Sequence, residues 1–157
     1  MRPRPTTAIR FTLAALVALA ANVGRLHGQV LVVPERDLDF GLISAGVPAA
    51  VQPTDVVRSA QLRVEGRGRY QISFLLPTHL SSLSGHTIPL VFGATDGRLT
   101  IRHKVTTFDP ADVVSFRINP ADREATVNLG GTATPATGQP AGSYSATIVI
   151  MIVQTGN

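Results

Sequence analysis

From residue 37 onward, apolar and polar residues alternate with a period of two in segment after segment. This is the pattern of strands that bury one face and wet the other. Leu38, Phe40 and Leu42 alternate with Asp37, Asp39 and Gly41. Ala60, Leu62 and Val64 share one face while Gln61, Arg63 and Glu65 share the other, and Tyr70, Ile72 and Phe74 repeat the pattern. Gly66-Arg67-Gly68 between these two runs predicts a tight hairpin connection, because glycine tolerates positive φ. Residues 86–92 predict a strand whose Pro89 favours an edge or a bulge, and Asp96-Gly97 predicts a further hairpin turn. Leu99, Ile101 and Val105 then alternate with Thr100, Arg102 and Lys104, with His103 in the apolar phase. Val114, Phe116 and Ile118 form a run bounded by Pro110 and Pro120, and Ala125, Val127 and Leu129 precede Gly130-Gly131. The segment 130–142 reads as a loop, although Thr132-Ala133-Thr134 can extend the strand before it. No heptad, repeat or sustained helical spacing follows residue 29. The expected fold is therefore all-β, a two-sheet antiparallel sandwich of about eight to ten short strands. Its core should include Leu38, Phe40, Tyr70, Ile72, Phe74, Phe116, Tyr144, Ile148 and Ile150.

The closing segment is the strongest single signal. The turn-forming run 138–143 opens into a predicted strand over 144–153, with Tyr144, Ala146, Ile148, Ile150 and Ile152 on one face. Val149, Met151 and Val153 make the opposite face apolar as well, so that face calls for a cover. One solution is a central strand covered by a loop or by the N-terminal segment Val30, Leu31, Val32 and Val33; the other is contact with a second subunit.

The first ten residues carry three arginines and no acid, and residues 11–23 are apolar and rich in alanine and leucine, the order of a helical secretory signal peptide. The apolar stretch is shorter than the roughly 20 residues of a membrane span, and it runs into Asn22, Arg25 and His27. The membrane is thus expected to matter only during export, and the mature chain to reside in the periplasm, at the cell surface or outside the cell. Residues 1–28 are assigned to the leader, with cleavage between residues 20 and 29, and residues 29–157 to one domain. Ala18-Leu19-Ala20 offers one cleavage site, and a cut after Gly28 offers another. Arg2, Arg4, Arg10 and Arg25 fall in the leader, so ten of the fourteen basic residues face ten acids in the mature part. A neutral domain lacks the clustered positive charge that nucleic acid binding requires. No cysteine is present, which excludes disulfides, thiolate metal sites and cysteine nucleophiles.

Candidate chemistry is thin. His103 on an apolar face reads as a core residue before a ligand or a base. His79 and His86 flank the serine-rich loop 80–85 without any G-x-S-x-G elbow, so a hydrolase there would need geometry that spacing does not supply. Asp109, Asp112, Asp122 and Glu124 lie near prolines and match no EF-hand or zinc spacing; turn formation is their expected work. The polar rows Gln61, Arg63, Glu65 and Thr100, Arg102, Lys104 read as solvated sheet faces. No catalytic, cofactor or metal residue is assigned.

Leu38-Asp39-Phe40-Gly41, Val64-Glu65-Gly66 before Tyr70-Gln71-Ile72, Gly130-Gly131-Thr132, and Pro140-Ala141-Gly142-Ser143-Tyr144-Ser145-Ala146-Thr147 together resemble the bacterial exported family catalogued as domain of unknown function 4402. That family is similar in turn to the spore coat U and archaic chaperone-usher pilin group. The resemblance covers residues 37–153. It implies an immunoglobulin-like sandwich displayed outside the cytoplasm and no enzyme, acting as a structural or adhesive subunit. It also implies self-association or a neighbouring surface subunit as partner, with residues 29–34, including Val30, Leu31, Val32 and Val33, as a donor strand or a self-completing one. The alternative is a carbohydrate- or small-ligand-binding module with its site on loops.

Overall fold

The computed structural model describes residues 7–9 and 30–156. Every regular element among them is a strand: β1 Thr7–Ile9, β2 Leu31–Arg36, β3 Gly41–Ile43, β4 Ala49–Val51, β5 Ala60–Glu65, β6 Gly68–Leu75 and β7 His79–Ser81. The series continues with β8 Thr87–Val91, β9 Gly97–Ile101, β10 Lys104–Phe108, β11 Val114–Ile118, β12 Glu124–Leu129, β13 Gly131–Ala133 and β14 Val149–Gly156. They form a five-stranded sheet in the order β10-β9-β12-β5-β2, a three-stranded sheet β11-β6-β14 and a four-stranded sheet β4-β13-β8-β7, and β1 pairs with β3. All ladders are antiparallel. The chain is thus an all-β, sandwich-like antiparallel protein. Its strands are shorter and more numerous than the roughly eight to ten that the sequence predicts, because several predicted strands break where the chain changes sheet. Residues 11–23, the apolar stretch read as a helical leader, lie outside the described residues; Thr7–Ile9 is strand.

Period-2 alternation builds the core as expected. Ala60, Leu62 and Val64 of β5 and Ala125, Val127 and Leu129 of β12 are buried in one cluster with Tyr70 and Ile72 of β6, Phe116 and Ile118 of β11, and Ile150 of β14. Leu38, Phe40, Tyr144 and Ile148 join the same cluster. Phe74 is half-buried and stacks on Phe108 at a centroid distance of 6.0 Å. Each fully buried Leu, Ile or Phe contributes about 1.5–3 kcal/mol, and this cluster holds the sheets together without any disulfide.

The pairing partners differ from the expected ones at several turns. Strands β5 and β6 are not a hairpin: β5 lies between β12 and β2, whereas β6 lies between β11 and β14. Gly66-Arg67-Gly68 carries the chain across the sandwich, with φ at 151° for Gly66 and 124° for Gly68. The crossover is pinned by Tyr70, whose phenol donates to the Arg67 carbonyl at 2.9 Å. Likewise Asp96-Gly97 opens no hairpin, since β8 and β9 belong to different sheets. There the Asp96 carboxylate accepts from the Gly93 N–H at 2.7 Å, and its carbonyl accepts from the Gly130 N–H at 2.7 Å. The unpredicted hairpin is β9–β10, which turns through Arg102 and His103 with Arg102 at φ 53°.

Three further corrections are local. Leu42 is 67% exposed rather than buried, because Gly41 at φ 65° reverses the alternation, leaving Ile43 inside. Pro89 sits in β8, a central strand between β13 and β7. The β8–β13 ladder ends beside it, where the Pro89 carbonyl accepts from Thr134 N–H at 3.0 Å and proline has no N–H to return the bond. Residues 131–133 form β13 in the four-stranded sheet rather than prolonging β12.

Candidate functional site

The closing strand is displaced from its predicted bounds and occupies an unexpected position. Ahead of it Ser145 makes an isolated bridge to Ser81, and β14 begins at Val149. The lead-in is held by Tyr144, which is buried; its hydroxyl donates to the Pro140 carbonyl at 2.8 Å and accepts from Gln139 Nε2 at 2.7 Å. Strand β14 pairs with β6 in the register Val149↔Leu75, Met151↔Ser73 and Val153↔Gln71. It has no neighbour on its other side among the described residues, so it is an edge strand and not the central one expected. Neither is it covered by the N-terminal segment, which lies in the other sheet.

The side chains of β14 alternate as read from the sequence. Ile150 is buried and Ile152 half-buried, whereas Met151 is 43% and Val153 51% exposed, with Val149 half-buried beside an exposed Leu75. The other edges are treated differently. Strand β2 carries Pro34, Glu35 and Arg36, β10 carries Lys104, β11 carries Arg117, and β4 and β7 are three residues long. Charge, proline and brevity are the usual means of keeping an edge from pairing with another chain. The eight residues of β14, Val-Ile-Met-Ile-Val-Gln-Thr-Gly, include none of these protections.

Val30, Leu31, Val32 and Val33 lead into and form β2, which pairs with β5 of its own chain: Leu31↔Glu65, Val32↔Val64 and Val33↔Arg63. Leu31 is exposed and Val30, Val32 and Val33 are half-buried. Polar bonds fasten this strand. Glu35 accepts from Arg63 Nε at 2.7 Å and Gln61 Nε2 at 2.6 Å, and Arg36 Nε donates to the Ser59 carbonyl at 2.6 Å. The hydrogen bond to Glu35, with Glu65 and Glu124 close by, holds the Arg63 guanidinium above its already high pKa. The row Gln61, Arg63, Glu65 is therefore internally paired.

The described histidines converge on nothing. His103 is exposed in the β9–β10 turn, not buried. His79 and His86 are exposed, and His79 Nδ1 meets Thr78 Oγ1 at 2.8 Å. Ser82 Oγ bonds to the backbone of residue 86 and to Ser84 Oγ at 3.0 Å, closing the loop on itself. No group of three or more metal-ligating side chains occurs among the described residues. The acids do turn work: Asp109 accepts from Ala111 N–H at 2.9 Å, and Asp122 accepts from Asn119 Nδ2 at 2.9 Å and pairs with Arg102 at 3.0 Å.

One concavity was not legible in the sequence. Strands β10 and β11 are edges of different sheets, and between the β9–β10 hairpin and β11 lies a half-open cleft of about 740 Å³. Leu99, Ile101, Val114 and Phe116 give it an apolar floor. No motif marks these residues; two unjoined sheet edges create the space.

No protein-family model matches the chain, and no curated protein matches it. Among the described residues no helix is long and apolar enough to cross a membrane.

Proposed function

We propose that this chain is an exported, non-enzymatic structural or adhesive subunit of the cell surface that works by joining its β14 edge to a strand of a second copy. One observation carries the reading: among the described residues β14 pairs on a single side, and it is the long edge strand without charge or proline, with Met151 and Val153 exposed along it. An unpaired row of N–H and C=O groups beside apolar side chains is the surface that β-strand addition uses. In the donor-strand form, residues 30–33 of one copy leave β5 and pair with β14 of the next; in the isolated chain the same segment completes its own five-stranded sheet. The rival reading, a sugar-binding module, lacks its customary aromatic platform: the sequence has no tryptophan, and Tyr70 and Tyr144 are both buried.

The test is light scattering with size-exclusion chromatography and negative-stain imaging of residues 29–157. The wild-type domain should form oligomers or fibres. A Met151→Lys, Val153→Lys variant, altered only at exposed positions, should be monomeric and folded. Deleting residues 30–33 should distinguish donor-strand joining from direct β14 pairing. A wild-type monomer at every concentration, or assemblies unchanged by the two lysines, would refute the reading.

A further inference from the structure

Independently of assembly, we propose that the cleft between the β9–β10 hairpin and β11 binds a single-chain amphiphile with an anionic head, as a monomer. Its volume of about 740 Å³ falls within the range of small-ligand pockets, roughly 300–1,000 Å³. The floor and the rim have different chemistry. Leu99 and Phe116 are nearly buried and Ile101 and Val114 half-buried, so the interior between the sheets is continuous with an apolar wall open to solvent. Such a wall favours an alkyl chain over a polar ligand.

The rim is cationic. Lys104, Arg102 and Arg117 line the cleft against a single carboxylate, Asp122. Asp122 is committed to Arg102 at 3.0 Å, and Arg102 Nη2 also donates to the Ala121 carbonyl at 3.3 Å. That pair closes its part of the rim without net charge. Arg117 alternates with Phe116 and so shares the outward face of β11 with Ser115, whereas the Lys104 side chain has no hydrogen-bond or ion-pair partner among the described residues, which leaves one positive charge beside the apolar floor. Lys104 pairs with Ile101 across the hairpin, so it stands on the inward side with Leu99 and Thr106. An ammonium offers a compact point charge and three rotatable donors to a carboxylate. An anionic head at Lys104, with its chain along Leu99, Ile101, Val114 and Phe116, satisfies both halves of the cleft. A neutral or cationic head satisfies only the floor.

Isothermal titration with dodecanoate below its micelle-forming concentration tests this. A single saturable site is expected. Decanoate, two methylenes shorter, should bind roughly fifteenfold more weakly, since each buried methylene changes affinity about fourfold. Dodecyl maltoside, with the same tail and no charge, and a Lys104→Glu variant should each lose about fivefold or more. The Lys104 side chain is free of partners among the described residues, and an unchanged urea midpoint will show that the variant is folded. Methyl shifts on adding dodecanoate should concentrate at Ile101 and Val114. The proposal is overturned by absence of saturable binding, by equal affinity of the charge-reversed variant, by shifts centred on Met151 and Val153, or by binding only to anionic vesicles.

Discussion

Replacing Gly66 with alanine should destabilise the domain sharply, and most of the damage should vanish when Tyr70 has lost its hydroxyl. A Cβ on Gly66 would lie 2.5 Å from the Tyr70 hydroxyl oxygen and 3.4 Å from the ring carbon that bears it. Tyr70 is fully buried, its ring 5.7 Å from Phe116, so it has little room to retreat. Retreat would also break its bond to the Arg67 carbonyl. Overpacking costs about 1–3 kcal/mol, and a lost buried hydrogen bond roughly 1 kcal/mol or more. Holding alanine at φ 151° adds on the order of 1 kcal/mol. Gly66→Ala should therefore cost about 3–5 kcal/mol. Tyr70→Phe alone should cost about 1 kcal/mol, because Arg67 is exposed and its carbonyl can bond to water. In the Tyr70→Phe background only the ordinary contact at 3.4 Å and the backbone conformation remain. Gly66→Ala should then cost about 1–2 kcal/mol, a coupling of roughly 2 kcal/mol. Urea denaturation of residues 29–157 and the three variants measures this, provided the slope of free energy on urea is constant. Additivity within about 0.5 kcal/mol would refute the view that Tyr70 and Gly66 jointly set the crossover.

Two pH-dependent effects follow from other sites. Burial raises the Tyr70 phenol above its ordinary pKa, so the fold favours the protonated form, the one that can donate to the Arg67 carbonyl. Its contribution should be complete below the unfolded tyrosine value of about 10 and be lost as pH rises through the folded value. Tyr70→Phe should flatten the alkaline limb of a stability–pH curve, and an unchanged limb would count against the effect. Asp55 is shifted the other way, lowered first by accepting from the Val57 N–H and next from the Arg58 N–H, both at 2.9 Å. Its contribution should be present above the unfolded value of about 3.9 and fade as pH falls through the lower folded value. Asp55→Ala should thus be less stable than wild type at neutral pH and draw level in strong acid, as read by thermal melts across that range; a gap independent of pH would refute the assignment.

The faces of the strands could be read from the sequence, but their neighbours could not. Alternation assigns Ala60, Leu62 and Val64 inward whether β5 pairs with β6 or with β12. The glycines at 66 and 68 suit a hairpin loop and a crossing between sheets equally, so the error there was one of partner and not of burial. The β9–β10 turn was hidden for a different reason. Arg102 and His103 carry no turn signature, and Val105 falls in step with Leu99 and Ile101 along the sequence; the two-residue turn shifts that phase, so Lys104 and Thr106 share the face of Leu99 and Val105 is exposed. At Leu42 the pattern failed because Gly41 lies at positive φ, a backbone choice that the alternation of side chains does not encode. The cleft depended on all of these at once. Its lining comes from β9, β10, β11 and their turns, and whether β10 and β11 touch is a fact of sheet order alone.

The closing strand shows what a sequence pattern can and cannot say. Two apolar faces on residues 144–153 signalled a need for cover, and a central position was the economical way to meet it. The fold puts β14 at an edge instead, with its inner face on the core and its outer row Val149, Met151 and Val153 uncovered among the described residues. The same chain places proline or charge on its other edges longer than three residues. General solubility would have called for a lysine on β14 as readily as on β10. Leaving this edge uncharged costs protection against pairing, and that is the expected choice where pairing is the strand's purpose. A single lysine at Met151 should therefore act on assembly while leaving the urea midpoint nearly unchanged, because the position is 43% exposed and outside the core. If that lysine instead unfolds the domain, the outer row is structural and the edge has another explanation.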